Sequence, residues 1–129
     1  MSKQNRTLSS EQLSQVVVKG MQEIKAEDIV VMDLRSVNNA VADFFVICSG
    51  NSDTHIDAIA ESVDKEVHKI DGQNPWHREG QSNKIWVLLD YVDVVVHVFK
   101  HDNREFYGLE SLWGDAKITT YDEVTESKF

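Results

Sequence analysis

The sequence predicts a single α/β domain in which a mixed β-sheet is packed with helices. Three observations carry that expectation. The 129 residues are one domain's worth of chain. Segments with apolar residues at three- and four-residue spacing alternate with short β-branched runs. The most apolar runs, "DFFVICSG" and "WVLLDYVDVVVHVF", are far shorter than a membrane-spanning segment and read as buried strands.

The elements follow in order. Residues 9–25, "SSEQLSQVVVKGMQEIK", place Leu13, Val16, Val17, Met21 and Ile24 on one stripe of a helix that Ser9 or Ser10 can cap. "DIVVMDLR", residues 28–35, is short and β-branched and reads as a strand. "VNNAV" follows as a loop, because paired asparagines favour turns. Residues 43–50, "DFFVICSG", form a strand ended by Gly50. Residues 51–71 form a helix on the stripe Ile56, Ile59, Ala60, Val63, Val67 and Ile70, with Asn51 or Ser52 as cap and Asp53 and Asp57 near its positive end. "GQNPWHREGQSN", residues 72–83, is a polar loop with room for a short edge strand around 76–79. "KIWVLLD" and "DVVVHVFK" are two strands joined at Tyr91-Val92. Residues 102–115 form a third helix, with a capping box from Asp102 and Glu105 and a stripe of Phe106, Leu109, Leu112 and Trp113. The order expected is αββαββα. The domain is expected over 1–116, with its core over about 8–115, and 117–129 as a polar C-terminal tail.

Composition narrows the function. Asp and Glu number 22 against 13 Lys and Arg, a net charge of −9. A nucleic-acid binder needs a basic face to neutralise phosphates, so direct nucleic-acid binding is not expected, and a basic protein is the better electrostatic match. The rival reading of the acidity is solubility alone. Cys48 is the only cysteine, which excludes an intramolecular disulfide and a Cys-based zinc cluster and suits a reducing cytoplasm. The start, "MSKQNRTLSSEQ", lacks the apolar core of a secretory signal.

The hairpin around Tyr91 raises the functional question. With Tyr91-Val92 as a two-residue loop, Asp90 faces Asp93, and Leu89, Val87 and Ile85 meet Val94, Val96 and Val98 on an aliphatic face. Trp86, Leu88, Asp90, Asp93, Val95, His97 and Phe99 share the other face. Two opposed carboxylates repel, so a metal, a partner's cation or plain exposure should offset them. Carboxylates beside a histidine also suit Mg²⁺ or acid–base chemistry, and "SGNS", residues 49–52, opens a helix where phosphates bind readily. A metal-dependent nucleotidyltransferase or phosphodiesterase is therefore the alternative function. Against it, the strand after "SGNS" lacks the interior Asp-x-Asp pair that two metals need. A lone His97 is otherwise a satisfied, half-buried histidine. Trp76, Tyr91 and Tyr107 are the aromatic contact candidates, with core packing as the rival for Tyr107 and a minor core beside Pro75 as the rival for Trp76. A dimerisation module is a third reading.

Taken together, "ADFFVICSGNSDTHIDAIAESV", "EG", "WVLLDYVDVVVHVF" and "REFYGLESLWGDA" resemble, in order and spacing, the ribosomal silencing factor family, RsfS or Iojap. The resemblance runs from about residue 28 to 116. It implies a nucleotidyltransferase-like fold without catalytic acids, cofactor or metal. It also implies binding to ribosomal protein L-fourteen on the large subunit, steric block of subunit joining, and repression of translation when nutrients are scarce. A bacterial cytoplasm and a homodimer in the free state are implied too. The expected partner-binding set is Trp76, Glu79, Asp90, Tyr91, Asp93, His97, Tyr107 and Glu110, with Glu79 and Glu110 at the rim. One departure stands out. The family usually has Asp-Tyr-Gly-Asp at the turn, where glycine suits positive φ, and this chain has Val92. Either the loop is not a type I′ turn or Val92 is strained.

Overall fold

The computed structural model describes residues 8–80, 85–101 and 116–121. The elements are α1 (Ser10–Glu23), β1 (Glu27–Asp33), β2 (Phe44–Gly50), α2 (Asp53–Asp71), β3 (His77–Glu79), β4 (Trp86–Asp90), β5 (Val94–Lys100) and β6 (Lys117–Tyr121). The strands form one mixed sheet in the order β3-β4-β5-β2-β1-β6. Only β2 and β5 run parallel, and the other neighbours are antiparallel.

Local chemistry sets the element ends. Ser9 caps α1 through a full capping box, its hydroxyl accepting from the Gln12 N–H while the Gln12 side chain accepts from the Ser9 N–H. Ser52 caps α2 by accepting from the His55 N–H, and Gly72 ends α2 in the left-handed conformation. Every residue of β2 is buried, which is why its sequence is an unbroken apolar run in mid-sheet.

Alternation along the strands divides two cores. One face presents Val31, Val46, Cys48, Val87, Leu89, Val96 and Val98 to α1 and α2. The other buries Val30, Met32, Phe45, Ile47, Val95 and Phe99. The two helices touch closely at Gly20, where an added Cβ would lie 2.9 Å from Val63 Cα. The Ser62 hydroxyl donates to the Gly20 carbonyl at the same point, 2.7 Å away.

Two expectations need correction. Residues 117–121 are not tail: they form edge strand β6, paired antiparallel along β1 from Ile29 to Asp33. Ile118, Thr119 and Thr120 are β-branched and suit a strand, but their polar setting hid the pattern. The β4–β5 register is also two residues off. Asp90 pairs with Val95, Leu89 with Val96 and Val87 with Val98. A slip of two preserves which side chains share a face, so the aliphatic face of the hairpin is as expected. The helix expected over 102–115 lies outside the described residues, as does 122–129.

Candidate functional site

The hairpin turn between β4 and β5 is built one pair further along than Tyr91-Val92. The Tyr91 N–H donates to the Val94 carbonyl, and the Asp93 N–H donates back to the Tyr91 carbonyl at 3.0 Å. That second bond closes a three-residue turn centred on Val92, which takes a φ of 78°. The Asp90 carboxylate accepts from the Val92 N–H at 2.7 Å and so holds the turn from inside.

Two other segments converge here. The N–H groups of Asp43 and Phe44 donate to the Asp93 carbonyl at 2.8 and 3.1 Å, which brings the loop before β2, and with it Val41, to the turn. On the other side the Trp76 N–H donates to the Asp90 carbonyl at 2.7 Å. The result is an open cleft of about 330 Å³ lined by Val41, Trp76, Asp90, Val92 and Val95. Val41 is 75% exposed and Trp76 70% exposed, so large apolar groups from three sequence-distant segments meet water together.

The structure separates the expected set. Trp76 and Asp90 line the cleft. Glu79 is exposed and lies 2.7 Å from the His77 ring. Asp93 is in the turn itself and does not oppose Asp90, so the mutual repulsion inferred for that pair has no basis in this register. Tyr91 is a correction: it is 2% exposed and belongs to the core under the helices. Burial, with Asp64 nearby, pushes its phenol well above the usual range. His97 is another correction: it is 4% exposed, on the face away from α1 and α2, with Nδ1 accepting from the Trp86 indole N–H at 3.0 Å. Burial lowers its pKa to about 4. Tyr107 and Glu110 lie outside the described residues. Val41 and Val92 were missed, because a single valine in a polar loop or a turn is commonplace and carries no local signal.

The "SGNS" corner is occupied by its own chain. The Asn51 N–H donates to His55 Nδ1, and His55 Nε2 bonds the Ile24 carbonyl at 2.8 Å. Gly50 is there for packing, since a Cβ would come within 2.9 Å of Ile56 Cγ1. Lys100 Nζ bonds Asp53 at 3.0 Å, in front of the first turn of α2. Among the described residues, no three His, Cys, Asp or Glu side chains converge to hold a metal ion.

A family model described as "Ribosomal silencing factor during starvation" matches residues 7–128. The chain belongs to the RsfS family. It is 42% identical over 117 residues to the ribosomal silencing factor RsfS of Halalkalibacterium halodurans, covering 91% of this chain and 98% of that one. It is 45% identical over 98 residues to RsfS of Bacillus subtilis, covering 76% and 81%. The maize chloroplastic protein Iojap is 35% identical over 100 residues, 78% of this chain and 42% of its own. Among solved structures, a Chromobacterium violaceum protein matches with a TM-score of 0.77 at 30% identity, covering 83% of this chain and 88% of its own. A Bacillus halodurans protein matches at 0.71 and 37% identity, covering 87% and 98%. The family match includes the residues of β6.

Proposed function

We propose that this RsfS-family protein silences ribosomes by occupying the large subunit through ribosomal protein L-fourteen, so that the small subunit cannot dock. Family membership supplies the ribosomal setting. The exposed cleft supplies the contact, and it is the observation that carries the reading. An apolar wall of Val41, Trp76, Val92 and Val95 beside the Asp90 carboxylate suits a partner that offers an apolar projection flanked by Lys or Arg. A chain of net charge −9 approaches such a basic surface with favourable steering and is repelled by bare RNA phosphates. Inhibition is stoichiometric and steric: a bound domain fills the place of the small subunit, and no bond is made or broken. The same reading places the protein in the bacterial cytoplasm, as a homodimer when free.

The test is sedimentation of mixed ribosomal subunits. Wild-type protein is expected to hold the subunits apart and to travel with the large one. Trp76→Ala combined with Val41→Ser changes only exposed side chains, so the fold should survive, and binding should weaken by about thirtyfold or more, from about 2 kcal/mol of lost contact. Large-subunit binding by that variant equal to wild type would place the interface elsewhere. Charge reversal at Asp90 is a poorer probe, because its carboxylate also holds the Val92 N–H.

A further inference from the structure

We propose that Arg78 is a positioning residue for the cleft: its guanidinium ties edge strand β3 to helix α2 and thereby fixes where Trp76 stands. The inference rests on the cleft being the ribosome-binding surface. Strand β3 has three residues and one strand neighbour, β4, through the pairs His77↔Asp90, Arg78↔Leu89 and Glu79↔Leu88. So short an edge holds itself weakly by pairing alone. Alternation sends His77 and Glu79 to one face and Arg78 to the other, the face of α2.

There Arg78 Nη1 donates to Asp64 Oδ2 at 3.0 Å, and Nη2 lies 3.5 Å from Glu61 Oε2. Glu61 and Asp64 are three residues apart on α2 and so present together. The Arg78 side chain is only 26% exposed, and its Nε and Nη2 are buried without a hydrogen-bond acceptor among the described residues, so Glu61 acts on Nη2 through its charge. A guanidinium so desolvated is tolerated only while its carboxylates stay in place, which makes the tie to α2 specific. Among the described residues, Trp76 has no comparable anchor: its side chain is 70% exposed, its nearest ring neighbour there is His77 at 6.4 Å, and its backbone holds the Asp90 carbonyl by one bond. Its place is therefore inherited from β3, and the place of β3 from Arg78.

A double-mutant cycle on large-subunit binding tests this, using co-sedimentation of purified large subunits with wild type, Arg78→Ala, Trp76→Ala and the double variant. Arg78→Ala should weaken binding about tenfold, and adding it to Trp76→Ala should cost nothing more, because it acts only through that indole. Hydrogen exchange at the His77 and Glu79 amides should quicken in Arg78→Ala while that of β2 and β5 stays slow. Should Arg78→Ala fail to fold, Asp64→Ala removes the accepting carboxylate from the helix side and must show the same non-additivity. Losses that multiply in the double variant, or wild-type binding by Arg78→Ala, overturn the positioning role and leave the cleft standing. Wild-type binding by Trp76→Ala overturns both.

Discussion

The indole N–H of Trp86 donates to Nδ1 of His97 across the β4–β5 pair, 3.0 Å away. Because Nδ1 accepts, the ring proton sits on Nε2, which is buried without a hydrogen-bond partner among the described residues. Phe45 meets the same ring edge-on at 4.6 Å and Phe99 stacks at 6.3 Å, so the imidazole is held neutral among aromatics.

That arrangement predicts an acid-sensitive fold. The His97 pKa falls from 6.5 to about 4 on folding, by burial. Between those values the unfolded chain binds a proton that the folded chain refuses, so stability drops as pH falls through the window and levels off below it. The slope approaches about 1 kcal/mol per pH unit. Urea unfolding at half-unit steps from pH 7 to 4 should show the decline, and His97→Phe should flatten it. Asp33, whose pKa is lowered mainly by the hydrogen bond from the Arg35 side chain, loses its contribution only below its ordinary 3.8 and does not confuse the window. A wild-type curve flat from pH 6.5 to 4 would contradict the burial of a neutral ring.

Tyr91 yields the second prediction. Its hydroxyl is buried with no partner among the described residues, while its ring fills the core under α2. Tyr91→Phe removes an unsatisfied polar group and keeps the packing, so the variant should be as stable as wild type or more so, by about 1 kcal/mol. Tyr91→Ala opens a cavity and should cost about 3–5 kcal/mol. Thermal unfolding separates the two. A Tyr91→Phe variant that loses stability would mean the hydroxyl is bonded in solution.

The contrast between Tyr91 and Val41 shows what the sequence could tell. Periodicity located α1, α2 and four of the six strands, because burial of one face leaves a repeating mark on neighbouring residues. It placed the faces of the β4–β5 hairpin correctly even with the register two residues out, since a slip of two leaves every side chain on its own face. The turn could not be read. Its geometry depends on Asp90 accepting from Val92 and on Asp93 bonding Tyr91, a choice that no local propensity announces. Tyr91 is expected as a contact residue because turns usually are exposed, yet it opens the turn with its ring on the core face. The cleft was half legible: Trp76 stood out beside Pro75, whereas Val41 reaches the site only through backbone bonds from Asp43 and Phe44 to Asp93.

Gly20 makes a prediction in which two effects compete. In mid-helix, alanine is favoured over glycine by about 0.5–1 kcal/mol. The added Cβ, however, would meet Val63 Cα at 2.9 Å and the Ser62 carbonyl at 3.3 Å, backbone atoms that cannot swing aside. Helices α1 and α2 would have to part, losing the Ser62 hydrogen bond, and overpacking of this kind costs about 1–3 kcal/mol. The net expectation for Gly20→Ala is a loss of about 1 kcal/mol or more, read as a lower unfolding midpoint in urea. A gain would show that the helix contact opens at little cost.

Val92→Gly sets strain against entropy at the edge of the cleft. A β-branched residue at φ 78° sits where L side chains are crowded, at a cost of about 1–3 kcal/mol. Glycine relieves that crowding but gives back about 0.5–1 kcal/mol through the freer unfolded chain. The turn's own bonds survive, since Asp90 and Asp93 engage backbone groups that the substitution leaves in place. The packing lost is partial and offsets some of that gain, because the valine is 40% exposed. The variant should therefore be about 1 kcal/mol more stable by thermal unfolding, while large-subunit binding weakens less than in Trp76→Ala, because glycine removes one small wall of the cleft and leaves its aromatic one. A destabilised Val92→Gly would mean that the valine's contacts outweigh the strain it bears, and the turn would then owe its shape to packing against Val41 and Val95, not to the hydrogen bond from the Val92 N–H to the Asp90 carboxylate.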